Sequence, residues 1–266
     1  MAFAVKKYSL PVCGTYMDCV SFGRGEKPLV ILPGLGIQSV RTAAYMLALM
    51  YRSFGKDFRV YIFDKPRDVR EGCTVAELAG LTAGAVTGLG LEGACVLGVS
   101  MGGMLALELA IEHPELVAKV VPALTAAAPN AALTEAIGTW TAQVSRGAYP
   151  DFIRDMFERL YSPGYLRRYR LLMPLLCRLV SVKESQRFVR LAASCLTVDC
   201  YDRLPRISCP ALVIGAQEDR VVTAEASTEI AEALGCPLHI YPGLGHAAYE
   251  ELSGDFNRRV LAFFRG

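Results

Sequence analysis

Short, densely apolar runs alternate along this chain with longer stretches of helical spacing, and the two periods predict its elements. The runs at 29–32, 58–63, 94–99 and 210–215 lack the polar alternation of a half-exposed strand. They predict buried strands of a parallel sheet, with further strands expected at 116–122 and 238–241. Residues 16–22 alternate loosely and predict one further strand, followed by turn chemistry at 23–28. Helices are expected at 40–54, with apolar surface from Tyr45, Leu47, Leu49 and Met50, and at 74–89, 104–111, 224–234 and 251–264. Thr74 with Glu77 three residues on has capping-box spacing, and Pro114 stops the 104–111 helix near His113. Strand and helix in alternation predict an α/β chain: a mostly parallel, doubly wound sheet covered on both faces.

The alternation is interrupted once. After the small residues of 123–129, helical spacing runs from Asn130 to about Asp202. Leu133, Ile137, Trp140 and Val144 share one helical face, and Phe152, Ile153, Met156, Phe157 and Leu160 form a second stripe opposite Arg154, Asp155, Glu158 and Arg159. A further helical run is expected at 171–180, and another at 184–195. The expected organisation is a core of 1–129 and 203–266, with a helical lid at 130–202. Its arginines are expected on solvated faces. The charged stretch 65–72 is expected as a surface loop.

Composition narrows the setting. A chain of 266 residues with 53% hydrophobic residues can bury one large core. A net charge of +2 gives no case for nucleic acid as a partner. No apolar run approaches the roughly 20 residues that span a bilayer. The first residues lack a signal peptide's order of charge before a long apolar stretch, so a cytoplasmic setting is expected. The nine cysteines follow no C-x-x-C spacing and are expected as small buried hydrophobes. Neither cofactor nor metal is called for, and the oligomeric state is open.

Candidate chemistry centres on Gly98-Val-Ser-Met-Gly102, a G-x-S-x-G match between a predicted strand and a predicted helix. A serine lifted clear at such a turn takes strained backbone angles, so its neighbours two residues either side must be small. The helix that follows aims free N–H groups, Met101 first, at whatever Ser100 attacks. The glycine-rich loop Pro33-Gly-Leu-Gly36 after an early strand offers a second donor, the Leu35 N–H. By contrast, Gly88-Leu-Gly-Leu-Glu-Gly93 matches a dinucleotide fingerprint only formally, because it follows a helix and precedes a strand.

Ser100 needs a base, and the base an orienting acid. Of the three histidines, His113 sits at a helix end and His239 inside a strand, both positions suited to structural roles. His246 lies in a glycine-rich loop just past the last strand, where catalytic residues collect. Asp219, four residues after Gly215 and in the loop after the preceding strand, would fall beside it. Glu218 is its immediate rival.

On these residues the chain resembles the α/β-hydrolase superfamily in its lidded, single-domain branch. The likeness runs through 29–36, the Ser100 turn, the helical insertion, Gly215-Ala-Gln-Glu-Asp219 and Gly243-Leu-Gly-His246. It implies a cofactor-free enzyme acting on a small-molecule substrate. The expected activity is a serine hydrolase of esters, thioesters or similar activated acyl bonds, with an acyltransferase, a lyase or a ligand receptor of negligible turnover as alternatives. Serine at the turn argues against chemistries that need a carboxylate nucleophile. Two departures stand out: Pro33 where many members carry histidine, and Asp64-Lys-Pro-Arg67 where many carry a glycine-rich loop.

Overall fold

A computed structural model describes residues 3–171, 182 and 184–266. The helical run expected at 171–180 lies, apart from its first residue, outside the described residues. Eight strands form one sheet in the order β1-β2-β4-β3-β5-β6-β7-β8. They are β1 (Lys6–Val12), β2 (Thr15–Phe22), β3 (Lys27–Leu32), β4 (Phe58–Pro66), β5 (Ala94–Val99), β6 (Val117–Ala123), β7 (Val213–Ala216) and β8 (Leu238–Tyr241). From β4 to β8 every pairing is parallel, whereas β1–β2 and β2–β4 are antiparallel.

All six positions of β5 are buried, which is why its sequence is an unbroken apolar run. Strand β1 was not expected from the apolar pattern. It is an edge strand with mostly exposed positions, so it carries little hydrophobic signal. Its register with β2 is set by the two-residue turn Cys13-Gly14, both at positive φ (42° and 82°), as the common hairpin turn requires.

Two apolar cores lie on opposite faces of the sheet. One face packs under α2 (Val75–Gly88) and α3 (Met101–Glu112). The other packs under α1 (Ala44–Met50) and the C-terminal helix. Between β6 and β7 come α4 (Ala131–Ser145), α5 (Tyr149–Leu160), α6 (Pro163–Tyr169) and α7 (Ser185–Cys195). Leu133, Ile137, Trp140, Val144, Phe152 and Ile153 are buried as their spacing predicts, and they extend the first core without a gap. Phe152 stands edge-on to Phe188 at 5.0 Å and to Trp140 at 6.4 Å, so it fills the centre of this bundle. The chain closes with α8 (Ala224–Leu234), β8, the short α9 (Ala248–Glu251) and α10 (Ser253–Arg265). No helix among the described residues is long and apolar enough to cross a membrane.

Three expectations are corrected. Helix α1 covers only 44–50, and Tyr45 and Leu49 project into solvent, because the residues before it form turns rather than helix. The stretch after Phe63 is no surface loop at its start: β4 continues through Asp64 and Lys65, both buried. And Arg187 and Arg159 leave the solvated face expected of them. Arg187 donates to Asp64 and to the carbonyls of Lys65 and Pro66, while Arg159 bridges Asp155 and Glu135. Of the described cysteines, Cys13 alone is exposed and none is in a disulfide.

The capping box at the start of α2 is complete. Thr74 Oγ1 accepts from the Glu77 N–H, and the Glu77 carboxylate accepts from the Thr74 N–H. Thr74→Ala removes one arm and is expected to cost about 1 kcal/mol of stability. A urea unfolding midpoint shifted down at unchanged slope is the check.

Candidate active site

Ser100 joins β5 to α3 with φ 56° and ψ −125°, a conformation that costs a non-glycine residue of order 1–3 kcal/mol. Its neighbours show why glycine is required. A Cβ on Gly102 would lie 1.8 Å from the Leu32 carbonyl oxygen at the end of β3. One on Gly98 would lie 2.2 Å from the Gly102 carbonyl oxygen, and one on Gly103 2.6 Å from Thr125 Cβ. The turn is therefore pressed against β3 and the loop after β6. Thr125 Oγ1 donates to the Ser100 carbonyl at 2.8 Å, and the Ser100 N–H donates to the Ala123 carbonyl at 2.9 Å.

The loops after β7 and β8 bring Asp219 and His246 to the same carboxyl end of the sheet, the edge where open α/β sheets place their sites. His246 Nε2 lies 2.8 Å from Ser100 Oγ, and Nδ1 lies 2.8 Å from Asp219 Oδ2. The second carboxylate oxygen of Asp219 accepts from the N–H groups of Val221 and Val222 at 2.8 and 3.0 Å. Glu218 is exposed and meets this loop only through its backbone, whose N–H donates to the Leu244 carbonyl. His113 ends α3 and faces Glu115, and His239 packs edge-on against Tyr241 at 4.5 Å. Neither reaches Ser100.

Burial alone would raise the Asp219 pKa. Facing His246 and two amide donors outweigh burial, so the carboxyl sits below its usual range. Among the described residues no group of His, Cys, Asp or Glu side chains is placed to hold a metal ion.

Two cavities with shared walls lie at and beside Ser100. The inner one, about 50 Å³, is lined by Ser100, His246, Gly34 and Leu35, with Trp140, Met156, Leu160, Phe188 and Tyr249 closing it. The outer one, about 290 Å³, shares Gly34, Leu35, Met156, Leu160 and Tyr249 and adds Gln38, Met46, Lys65, Phe157, Arg187 and Glu250 among others. Phe152 is sealed in the helical bundle, whereas Trp140 lines the inner cavity and Phe157 the outer one. Leu35 lines both cavities, and Met101 is the first residue of α3, where a backbone N–H has no acceptor within its own helix. The sequence reading missed Thr125, Lys65 and Arg187. A single threonine carries no motif, and two cations in a charged stretch read as surface.

The helices over the site are tied to its loops at both ends. The Ala247 N–H, next to His246, donates to the Leu160 carbonyl at 2.8 Å. Ser162 donates through its N–H and its hydroxyl to Glu251 at 2.7 and 2.6 Å. At the far end, Arg187 holds the end of β4, and Arg190 donates to the Val69 carbonyl at 2.9 Å.

Comparison with known proteins agrees with this architecture. The sequence model of the alpha/beta hydrolase family matches residues 29–259. A protein of Caulobacter sp. strain K31 named as a candidate carbamate hydrolase, RutD, is 27% identical over 265 residues, covering 96% of this chain and 97% of its own. The 2-hydroxy-6-oxononadienedioate/2-hydroxy-6-oxononatrienedioate hydrolase of Cupriavidus pinatubonensis is also 27% identical, covering 93% and 90%. In fold, the chain matches the enol-lactonase of Burkholderia xenovorans LB400 with a TM-score of 0.84 at 20% identity, over 97% of this chain and 100% of that one.

The depressed pKa of Asp219 has a consequence for stability. A carboxyl whose pKa is lowered by folding stabilises the fold above its unfolded value, near about 4, and loses that contribution as pH falls through the folded value. Asp219→Asn is therefore expected to be less stable than wild type at neutral pH, with the gap narrowing as pH falls below about 4. Urea unfolding of both proteins across that range measures it.

Proposed function

The chain belongs to the alpha/beta hydrolase family, and from that premise we propose that it is a serine hydrolase of esters, thioesters or similar activated acyl bonds. The observation that carries this reading is His246 set 2.8 Å from both Ser100 Oγ and Asp219, with Ser100 raised on a left-handed turn. His246 keeps its proton on Nδ1 towards Asp219, so Nε2 is free to take the Ser100 proton as Oγ attacks the substrate carbonyl. The oxyanion is received by the Leu35 and Met101 N–H groups. Nε2–H then protonates the leaving group, and water, activated by the same nitrogen, releases the acyl group from Ser100. Asp219 holds the tautomer and offsets the imidazolium charge as it forms. Residues 130–202 act as a lid that keeps bulk water from this exchange.

The two cavities divide the substrate. Apart from Ser100 and His246 the inner-cavity walls are largely apolar, with Trp140 and Phe188 each at or below 5% exposure, and they suit a short alkyl acyl group. The leaving group must depart to solvent, and the outer cavity reaches it past the exposed Gln38, Met46 and Glu250. The acyl side is therefore small, and the larger part of the substrate fits the outer compartment. Names of the relatives, one for a carbamate and one for a carbon chain, leave the acyl class open between them. The volume at Ser100 favours the smaller.

Ser100→Ala is expected to lower kcat on 4-nitrophenyl acetate about a million-fold with the fold intact, and Asp219→Asn about 10⁴-fold. Glu218→Gln, altering an exposed carboxylate, should stay within about two-fold. A Ser100→Ala variant keeping a tenth of the activity, or a crippled Glu218→Gln, would overturn the assignment.

Lengthening the acyl chain of 4-nitrophenyl esters from acetate to octanoate should lower kcat/KM by about ten-fold or more, since the inner cavity must expand to take each added methylene. Enlarging that cavity by Phe188→Ala should shift the optimum to longer chains. A flat series in both proteins would count against the division of the substrate between the two cavities.

A further inference from the structure

Lys65 is the one buried lysine in the walls of these cavities, and its ammonium hydrogen-bonds to backbone carbonyls. Its ammonium donates to the carbonyl oxygens of Pro33, at 2.5 Å, and of Gly34. The Gly34 carbonyl belongs to the same planar peptide unit as the Leu35 N–H, and in a trans peptide the two point in opposite directions. Fixing the oxygen therefore fixes the direction of the hydrogen. A cation on the oxygen also draws electron density through the amide and makes the N–H a stronger donor.

We propose that Lys65 is the positioning residue of the oxyanion hole, gripping the Gly34 carbonyl so that the Leu35 N–H on the other edge of that peptide is held and polarised towards the oxygen that develops charge at Ser100. This rests on the reading that the chain is a serine hydrolase with Leu35 as an oxyanion donor.

The loop needs an external support. It is Pro33-Gly-Leu-Gly36, with two glycines, and Gly34 packs closely on the turn, since a Cβ there would lie 3.1 Å from Ser100 Cβ. A donor that must sit still before the reaction gains from a rigid anchor. Lys65 is itself pinned. Its N–H donates to Asp64 Oδ1 at 2.8 Å, and its carbonyl accepts from Arg187 at 2.8 Å. Asp64 also accepts from the Val40 N–H at 2.9 Å, just past the loop, so both ends of the turn from 33 to 40 are held by adjacent residues of β4. The charged or titratable groups facing Lys65 are Asp64 on its own strand and Arg187 and the Cys195 thiol on α7. Burial, with Arg187 adding to it and Asp64 opposing it, brings the ammonium's pKa down to about 8. The grip thus weakens on the alkaline side of neutrality, where a neutral amine still donates but no longer polarises.

The test uses the purified full chain as wild type, Lys65→Met and Lys65→Arg, assayed on 4-nitrophenyl acetate and with 1-butaneboronic acid, which forms a tetrahedral anionic adduct on an active serine. Lys65→Met is expected to lower kcat by about 10- to 100-fold, less than loss of a whole oxyanion donor, with KM within about two-fold. The boronic acid should weaken in proportion to kcat. Lys65→Arg, which keeps charge and donors, should recover kcat to within about five-fold of wild type. Wild-type kcat should also fall above about pH 8, and Lys65→Arg should lack that fall. A Lys65→Met enzyme with unchanged kcat and boronic acid affinity, or one whose loss is all in KM, overturns the proposal. If Lys65→Met does not fold, wild type and Lys65→Arg decide it, and identical alkaline profiles overturn it. Wild type without turnover on any ester overturns the hydrolase reading itself, and this proposal with it.

Discussion

At the centre of the sheet, β5 ends in a turn whose backbone presses on its neighbours to the limit of atomic contact. Gly102 leaves no space for a methyl group against the Leu32 carbonyl, nor does Gly98 against the Gly102 carbonyl. Ser100 is held at φ 56° because β5 beneath it and α3 above it are both fully committed to the core. Strain of order 1–3 kcal/mol is small against the apolar area those two elements bury, so the turn survives while the fold does. Everything else at the site follows from this closeness. Since β3 lies directly against the turn, its outgoing loop falls over Ser100. Since β7 and β8 extend the same parallel sheet beyond β6, their outgoing loops reach it from the other side.

The helices between β6 and β7 stand on these same loops. Leu160 and Ser162 are bound to the segment that carries His246, and Arg187 is bound to the end of β4 beneath the Pro33–Gly36 loop. A covering segment joined to both can exclude water without leaving the loops free to drift. Its own interior is apolar and edge-packed around Phe152, so the helices hold each other as firmly as they hold the core. Shielding matters because every electrostatic interaction at Ser100 is stronger where water is excluded.

Much of this was legible in the sequence because burial on both faces leaves an unmistakable apolar run. The strands at 29–32 and 94–99, the Thr74 cap and the turn at Ser100 each follow from a local rule, and Asp219 and His246 follow from where loops leave a parallel sheet. What escaped depends on partners far along the chain. Edge strand β1 has no apolar signature, and its pairing is set by a two-residue turn. Lys65 and Arg187 have the composition of a surface, yet one is buried and the other nearly so. Meetings of residues far apart in the chain, Asp64 with Arg187 and Lys65 with the Pro33 and Gly34 carbonyls, make their burial tolerable. No pattern within a window of sequence contains that information. The departure of the 64–67 stretch from its superfamily's habit was visible as an anomaly, but its meaning was not.

The fixed charges around Ser100 are arranged along one line of sense. On the His246 side stands Asp219, a carboxylate kept ionised by two amides and the imidazole despite its burial. On the opposite side, under the Gly34 carbonyl, stand Lys65 and Arg187, with Asp64 buried between them and the exposed Glu184 paired to Arg187 from the solvent side. The buried charge is negative on the first side and positive on the second. In the proposed reaction the serine proton moves to His246 while negative charge collects on the carbonyl oxygen, so the transition state is itself a dipole. Its positive end forms beside Asp219, and its negative end forms at the Leu35 N–H, on the far edge of the peptide that Lys65 holds. Before attack the same charges face a neutral imidazole and a neutral carbonyl, with which they interact far less. An environment of this polarity therefore stabilises the transition state more than the bound substrate, and that difference alone accelerates a reaction. Two cations buried with one carboxylate would be a poor choice for stability, and the second carboxylate on Arg187, Glu184, sits in solvent where its charge is screened. Beneath an oxyanion loop the excess of buried positive charge has a use, and the sheet's own geometry puts it there.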